Sequence, residues 1–352
     1  MVWGEAHLPP GEAQAVARDT RAEMMAHLLE RYRRTGADLP YGDPRRAHGV
    51  AMEGYYWRFT DAAAGRVVVA LCGVLRAHDG PWGLVALAAH PGGFLRELVT
   101  RTASADLRGP GVHAEDVFSA TPESLRVDLG SDARLDVRLD ARRTWPRRAF
   151  GGIGPAHAVP RLGQYWHPYL LGATVTGEAV IGDERVDLGS ATAYAEKNWG
   201  GGFPEEWWWG QAHGFADPGV CVAFAGGRLP GVGPLAVGPT AVVAAVDSQL
   251  VRIGLPTGYA AVELGKESWR VRGRSAFASL QLEGNGNGQA PYAFPVPLAA
   301  ERRVQARAAQ HLAAHATLTV RRGRRLLYRG ESTLAGLERG TPAADDQSRV
   351  GR

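Results

Sequence analysis

The sequence predicts an all-β protein of two strand-rich halves, preceded by a helix. Three observations carry this. From residue 50 onward the apolar residues recur with a period of two, as in strands. Leu125, Val127 and Leu129 alternate with Arg126 and Asp128, and Leu135, Val137 and Leu139 with Arg134, Asp136 and Arg138. Such alternation marks half-buried antiparallel strands. Gly (46) and Pro (22) punctuate the 352 residues without a triplet repeat. They separate strand signals about every 8–12 residues, the spacing of sandwiches and barrels.

Taken in order, residues 11–34 read as a helix, with Val16, Met24, Met25, Leu28, Leu29 and Tyr32 on one stripe. It belongs to an N-terminal extension, 1–49. A strand follows in which Glu53, Tyr55, Trp57 and Phe59 share a face. Segments 67–74 and 82–88 are apolar throughout, as strands buried on both faces are. The stretch 142–160 holds Pro146, Gly151, Gly152, Gly154, Pro155 and Pro160 and reads as the boundary between halves 50–150 and 151–340. Strand signals then resume at 173–181, 190–199, 206–215, 220–225, 240–246, 260–264, 268–274, 277–283, 316–320 and 325–332. Residues 284–288, Gly-Asn-Gly-Asn-Gly, form a turn, and 341–352 read as a frayed tail.

A net charge of +4 is too mild to imply nucleic acid. Two cysteines, Cys72 and Cys221, allow no disulfide framework or zinc set, and a reducing, cytoplasmic setting is expected. The first twenty residues lack the apolar core of a signal peptide. The longest uncharged run, 229–246, contains six Gly or Pro and does not suit a spanning helix. No Gly-x-Ser-x-Gly occurs. Gly200-Gly201-Gly202 lacks the lysine of a phosphate loop, and His311 and His315 are spaced as in zinc proteases but with Leu312 in place of Glu. No metal and no cofactor is expected.

Of the 40 positive residues only Lys197 and Lys266 are lysine, and only three residues are asparagine. Lys197 and Asn198 are nonetheless adjacent, beside Trp199 and close to Trp207, Trp208 and Trp209. A lysine in so arginine-rich a chain suggests a place where guanidinium does not serve. Segment 193–213 reads as strand, Gly-rich connection, strand. Alternation puts Tyr194, Glu196 and Asn198 on one face, and Lys197 and Trp199 on the other. On the second strand Trp207, Trp209, Gln211 and His213 share a face. Indoles beside a few polar groups suit an apolar pocket, and equally an aromatic core with buried hydrogen bonds.

The stretch YAEKNWGGGFPEEWWWGQAH (194–213) resembles the signature of tocopherol cyclases. CVAFAGGRLPG, MEGYYWRF (52–59), QYWHPYLLGATVTGEAVIGDERVDLGSATAYAEKNWG and LTVRRGRRLLYRGESTLAGLE follow the family's blocks in matching order, so the resemblance covers roughly residues 50–340. The first half is shorter and poorer in aromatics than the plant form. The resemblance implies two tandem lipocalin-like barrels, a fold shared with carotenoid hydratases and Diels–Alder cyclases.

It also implies closure of a prenylated quinol to a chroman without a cofactor. A proton adds to the first prenyl double bond, and the phenol oxygen captures the tertiary cation. Such a site needs a neutral acid at pH 7 and aromatic faces for the cation. On that basis Glu196 is the expected proton donor, with Glu53 as second candidate. Trp199, Trp207 and Trp209 would line the cation region, and Gln211 and His213 would orient or deprotonate the phenol. Asn198, Tyr194, Tyr55, Trp57 and Lys197 complete the expected pocket. Lys197 has an alternative, a buried pair with Glu53. Two other functions fit the residues: a carrier of an isoprenoid or quinone, and another polyene cyclase or hydratase. The expected partner is a hydrophobic small molecule, with peripheral membrane contact following from its lipid solubility.

Overall fold

In the computed structural model the alternating segments form two antiparallel sheets. The structure describes residues 48–107, 109–146, 151–159, 162–228 and 238–340, with 23, 24, 26 and 27 before them. The helix expected over 11–34, apart from those four positions, and the expected tail lie outside the described residues.

The first sheet contains β1 (Met52–Asp61), β2 (Arg66–Ala77), β3 (Gly80–His90), β4 (Phe94–Thr100), β5 (Ser104–Ala105), β6 (Val112–Ala114), β7 (Phe118–Ala120), β8 (Ser124–Asp128), β9 (Ala133–Thr144), β10 (Gln164–Ile181), β11 (Glu184–Asp187) and β12 (Thr192–Gly200). The second contains β13 (Trp207–Ala212), β14 (Cys221–Gly227), β15 (Thr240–Val246), β16 (Gln249–Ile253), β17 (Gly258–Leu264), β18 (Ser268–Ser275), β19 (Ala278–Asn285), β20 (Tyr292–Leu298), β21 (Arg303–Arg322) and β22 (Arg325–Gly340). Their orders are β4-β3-β2-β1-β12-β10-β9-β8-β7-β6-β5 and β16-β15-β14-β13-β22-β21-β19-β18-β17, with β11 beside β10 and β20 beside β21.

Each sheet curls around its own core. β6, near one end of the first order, packs on β2 and β3 near the other, and β16 meets β17 in the second. The first core gathers Trp57, Phe59, Val68, Phe118, Val137 and Val175. The second gathers Phe224, Val242, Ile253, Val271 and Leu318. The tandem lipocalin-like architecture follows from these two rolled sheets.

The sheets part at 201–206, not in 142–160. β10 to β12 remain in the first sheet, because β9 pairs directly with β10 and β12 pairs with β1. The Gly- and Pro-rich stretch is an excursion between adjacent strands. Punctuation of this kind marks a loop, and only pairing tells whether the chain has changed sheet.

β1 and β2 are buried on both faces for a reason. Val68, Ala70, Cys72 and Val74 fill the first core, while Val67 and Val69 pack with Phe294, Leu312 and Leu334 of the second sheet. Arg58, fully buried, crosses the same junction, donating from Nη2 to Leu312 O at 2.6 Å and Leu334 O at 2.7 Å. His311 and His315 lie on strand β21. His311 meets the Trp269 ring edge-on and His315 contacts Glu331 at 3.0 Å. Among the described residues no cluster of His, Cys, Asp or Glu is arranged to hold a metal, and no helix is long and apolar enough to cross a membrane.

Candidate active site

The junction between the sheets encloses a cavity of about 370 Å³. Its wall is mostly apolar and aromatic, including Leu71, Phe203, Trp207, Trp208, Trp209 and Phe294, with Glu196, Asn198, Gln310 and Glu338 among its few polar groups. That size and balance are those of a small-molecule pocket.

Strand register builds the polar part. In the first sheet Tyr56 on β1 stands opposite Glu196 on β12. In the second, Trp209, Glu338 and Gln310 are successive partners on β13, β22 and β21. Two hydrogen bonds join these rows across the junction. Trp209 Nε1 donates to Glu196 Oε2 at 2.9 Å, and Gln310 Nε2 donates to the Tyr56 hydroxyl at 2.8 Å.

Glu196 is buried and accepts two further bonds, from Tyr194 OH at 2.6 Å and Trp166 Nε1 at 2.8 Å. All three fall on Oε2, leaving Oε1 for a molecule in the cavity. Burial raises its pKa, the three donors pull it down, and the net value lies above the ordinary carboxylate range. Asn198 also lines the cavity. Its side chain lies across Gly54, where a Cβ would come 2.3 Å from Oδ1, and that oxygen accepts no hydrogen bond.

Glu338 accepts from Trp207 Nε1 at 2.6 Å. It keeps some accessible surface and lines the cavity wall. Burial pushes its pKa up to about 7; the Trp207 bond opposes this and the Glu196 charge adds to it.

Expected residues thus divide. Glu196, Asn198, Trp207 and Trp209 meet at the cavity, Tyr55 borders it, and Tyr194 holds Glu196 from behind. Glu53, Lys197, Trp57 and Trp199 do not reach it, because period two sends them to the opposite face. Lys197 Nζ lies 3.2 Å from Glu53 Oε2, the alternative pairing, within one sheet. Trp57 packs on Phe118 in the first core, and Trp199 stacks on Tyr165 and His157.

Gln211 and His213 are buried beyond the cavity wall. His213 Nε2 lies 3.0 Å from Leu171 O, which can only accept, so Nε2 carries the proton. Burial holds its pKa down to about 4, so it is neutral and is no acid. Sequence reasoning missed Tyr56, Trp166, Gln310 and Glu338. The alternate face of MEGYYWRF holds Tyr56, and Trp166 and Glu338 sit inside family blocks without a local mark.

The comparisons agree with this architecture. The tocopherol cyclase-like family profile matches residues 164–341. Over 130 residues the chain is 29% identical to "Tocopherol cyclase, chloroplastic" of Zea mays, covering 36% of this chain and 27% of that protein. Over 79 residues it is 38% identical to "Probable tocopherol cyclase, chloroplastic" of Oryza sativa subsp. japonica, covering 22% and 17%. The matched stretches therefore span little more than a quarter of those relatives at most. The crystal structure of CghA with Sch210972 superposes with a TM-score of 0.57 at 12% identity, covering 84% of this chain and 89% of that one. At that identity the likeness establishes the fold. The family profile spans just over half of the sequence, both signature strands and the carboxyl-bearing β22 included, and the chain belongs to the tocopherol cyclase-like family.

Proposed function

We propose that the protein closes a prenylated quinol to a chroman by adding a proton to an alkene. The phenol oxygen captures the resulting tertiary cation. The reaction moves protons and forms a C–O bond, and it neither oxidises nor reduces the substrate.

The observation that carries this reading is Glu196. A carboxyl group sits in an aromatic cavity with one oxygen fixed by three donors and the other free. Burial raises its pKa above the usual carboxylate value, the direction proton transfer at a carboxyl group requires. The indoles of Trp207 and Trp209 on the wall suit a cation, each face contributing roughly 0.5–2 kcal/mol. The Asn198 side chain, which keeps accessible surface on the cavity wall, suits a substrate hydroxyl.

The test is turnover of a prenylated methylbenzoquinol by wild type and Glu196→Gln, following chroman formation chromatographically. The substitution is expected to lower kcat by about 10²–10⁴, with the urea unfolding midpoint showing that the fold survives. Equal turnover by both proteins would remove Glu196 from the chemistry. Quinol recovered bound but unchanged by wild type would make the protein a carrier.

A further inference from the structure

Glu338 was not among the residues the sequence singled out, yet its place is fixed from both sides. Cross-strand partners point to the same side of a sheet. Its side chain therefore leaves β22 between Trp209 and Gln310, its partners on β13 and β21. Those two residues reach across the junction to Glu196 and Tyr56. Glu338 is thus aimed at the same pair from the opposite sheet, on the wall of the same cavity.

We propose that the cavity works through a carboxyl pair, in which Glu338 gives the proton to the alkene and Glu196 accepts the phenol proton. The inference rests on the cyclisation reading above and reverses the role expected of Glu196 from sequence. Both carboxyl groups line the apolar cavity, where burial favours the neutral form of each and the charge of Glu196 adds to the effect on Glu338. The surroundings decide which of the two holds the proton. Glu196 Oε2 accepts three N–H and O–H donors, which favour the charged form. Glu338 accepts one, from Trp207.

Two nearby cations hold other partners: Arg339 pairs with Glu206, and Arg307 donates to Glu205 O with its guanidinium over the Trp207 ring. Arg58 donates to the neutral Leu312 and Leu334 carbonyls and keeps its charge beside Tyr56. Burial keeps the Tyr56 phenol protonated, and Gln310 is uncharged. The proton accordingly rests on Glu338.

The step balances. The Glu338 O–H bond breaks and a C–H bond forms at the less substituted alkene carbon. The phenol oxygen bonds to the tertiary carbon, and its own proton passes to Glu196 Oε1. Between turnovers Glu196 gives its proton to solvent and Glu338 takes one up, which restores the starting state.

Two measurements on wild type, Glu338→Gln and Glu196→Gln test this. The first is the pH profile of kcat/KM with a prenylated methylbenzoquinol. The second, without substrate, is an infrared titration of the protonated carboxyl band. Wild type is expected to show a bell-shaped profile whose alkaline limb belongs to Glu338. In Glu338→Gln activity should fall by about 10² or more, and the carboxyl titrating near pH 7 should vanish. In Glu196→Gln that titration should persist, displaced downward because the like charge is gone. A near-neutral titration that survives Glu338→Gln, or activity within about threefold of wild type, would overturn the assignment. Should Glu338→Gln not fold, Glu338→Asp should retain the titration with reduced kcat, and its loss there would count equally against the proposal. Absence of chroman from wild type would instead sink the cyclisation reading, whatever the infrared result.

Discussion

Lys197 illustrates how much one side chain can fix. It has no accessible surface, and its ammonium contacts Glu53 at 3.2 Å and lies 4.8 Å from the Tyr55 ring centroid. Glu53 also accepts from Gly49 N at 2.9 Å and contacts His48 Nδ1 at 2.9 Å. A compact ammonium fits between two aromatic rings where a planar guanidinium would be larger, which accounts for a lysine in an arginine-rich chain. Removing one partner strands a buried charge, so Lys197→Met should cost about 3–5 kcal/mol in urea unfolding. Turnover by the folded fraction should change little, since Lys197 lies on the far face of β12. Burial raises the pKa of Glu53, but His48, Lys197 and Gly49 together outweigh it, and the net value is lowered. A lowered folded pKa favours the ionised form on folding. The contribution of Glu53 is therefore complete above the unfolded value, about 4.3, and is lost as pH falls through the lowered folded value. Glu53→Gln should flatten that part of the acid limb of stability.

At the scale of the strand, β22 ends where Trp207 needs space. Gly340 is the partner of Trp207 on β13, and a Cβ there would lie 2.0 Å from the indole. Gly340→Ala must move the ring and release Glu338. It should cost about 1–3 kcal/mol of stability and lower kcat by roughly tenfold, the equivalent of one lost hydrogen bond; urea unfolding and steady-state kinetics would show both. Period two made most of the longer strands legible, but β10, β21 and β22 run well beyond their expected bounds, and β4, β5, β6, β7, β11, β16 and β20 were not legible at all. β20 carries Pro295 and Pro297, which argue against a strand, and it pairs only with β21, as an edge strand can. β16 is short and flanked by turn residues, and the Ala-rich start of β21 has weak strand propensity. Alternation also separated Glu196 from Lys197 correctly. It did not say which face of β1 meets the cavity most fully, and so Trp57 was expected there and Tyr56, which stands there, was missed.

At the scale of the molecule, the site exists only because two sheets meet. Glu196 and Glu338 are far apart in sequence and belong to different sheets, and no local spacing announces their proximity. Pairing of β1 with β12 brings Tyr56 to Glu196, while pairing of β22 with β13 and β21 places Glu338 between Trp209 and Gln310. Arg58 and the apolar layer of Val67, Val69, Leu312 and Leu334 hold the rows in contact. The resulting cavity is apolar enough in its lining to push a carboxyl pKa up to about 7, and aromatic enough for a cation. The measurement that tests this account most directly is conversion of a prenylated methylbenzoquinol in D₂O, read by mass spectrometry. The account predicts a chroman carrying one solvent deuterium on carbon in the new ring. A chroman without that deuterium, or none at all, would contradict proton-initiated closure.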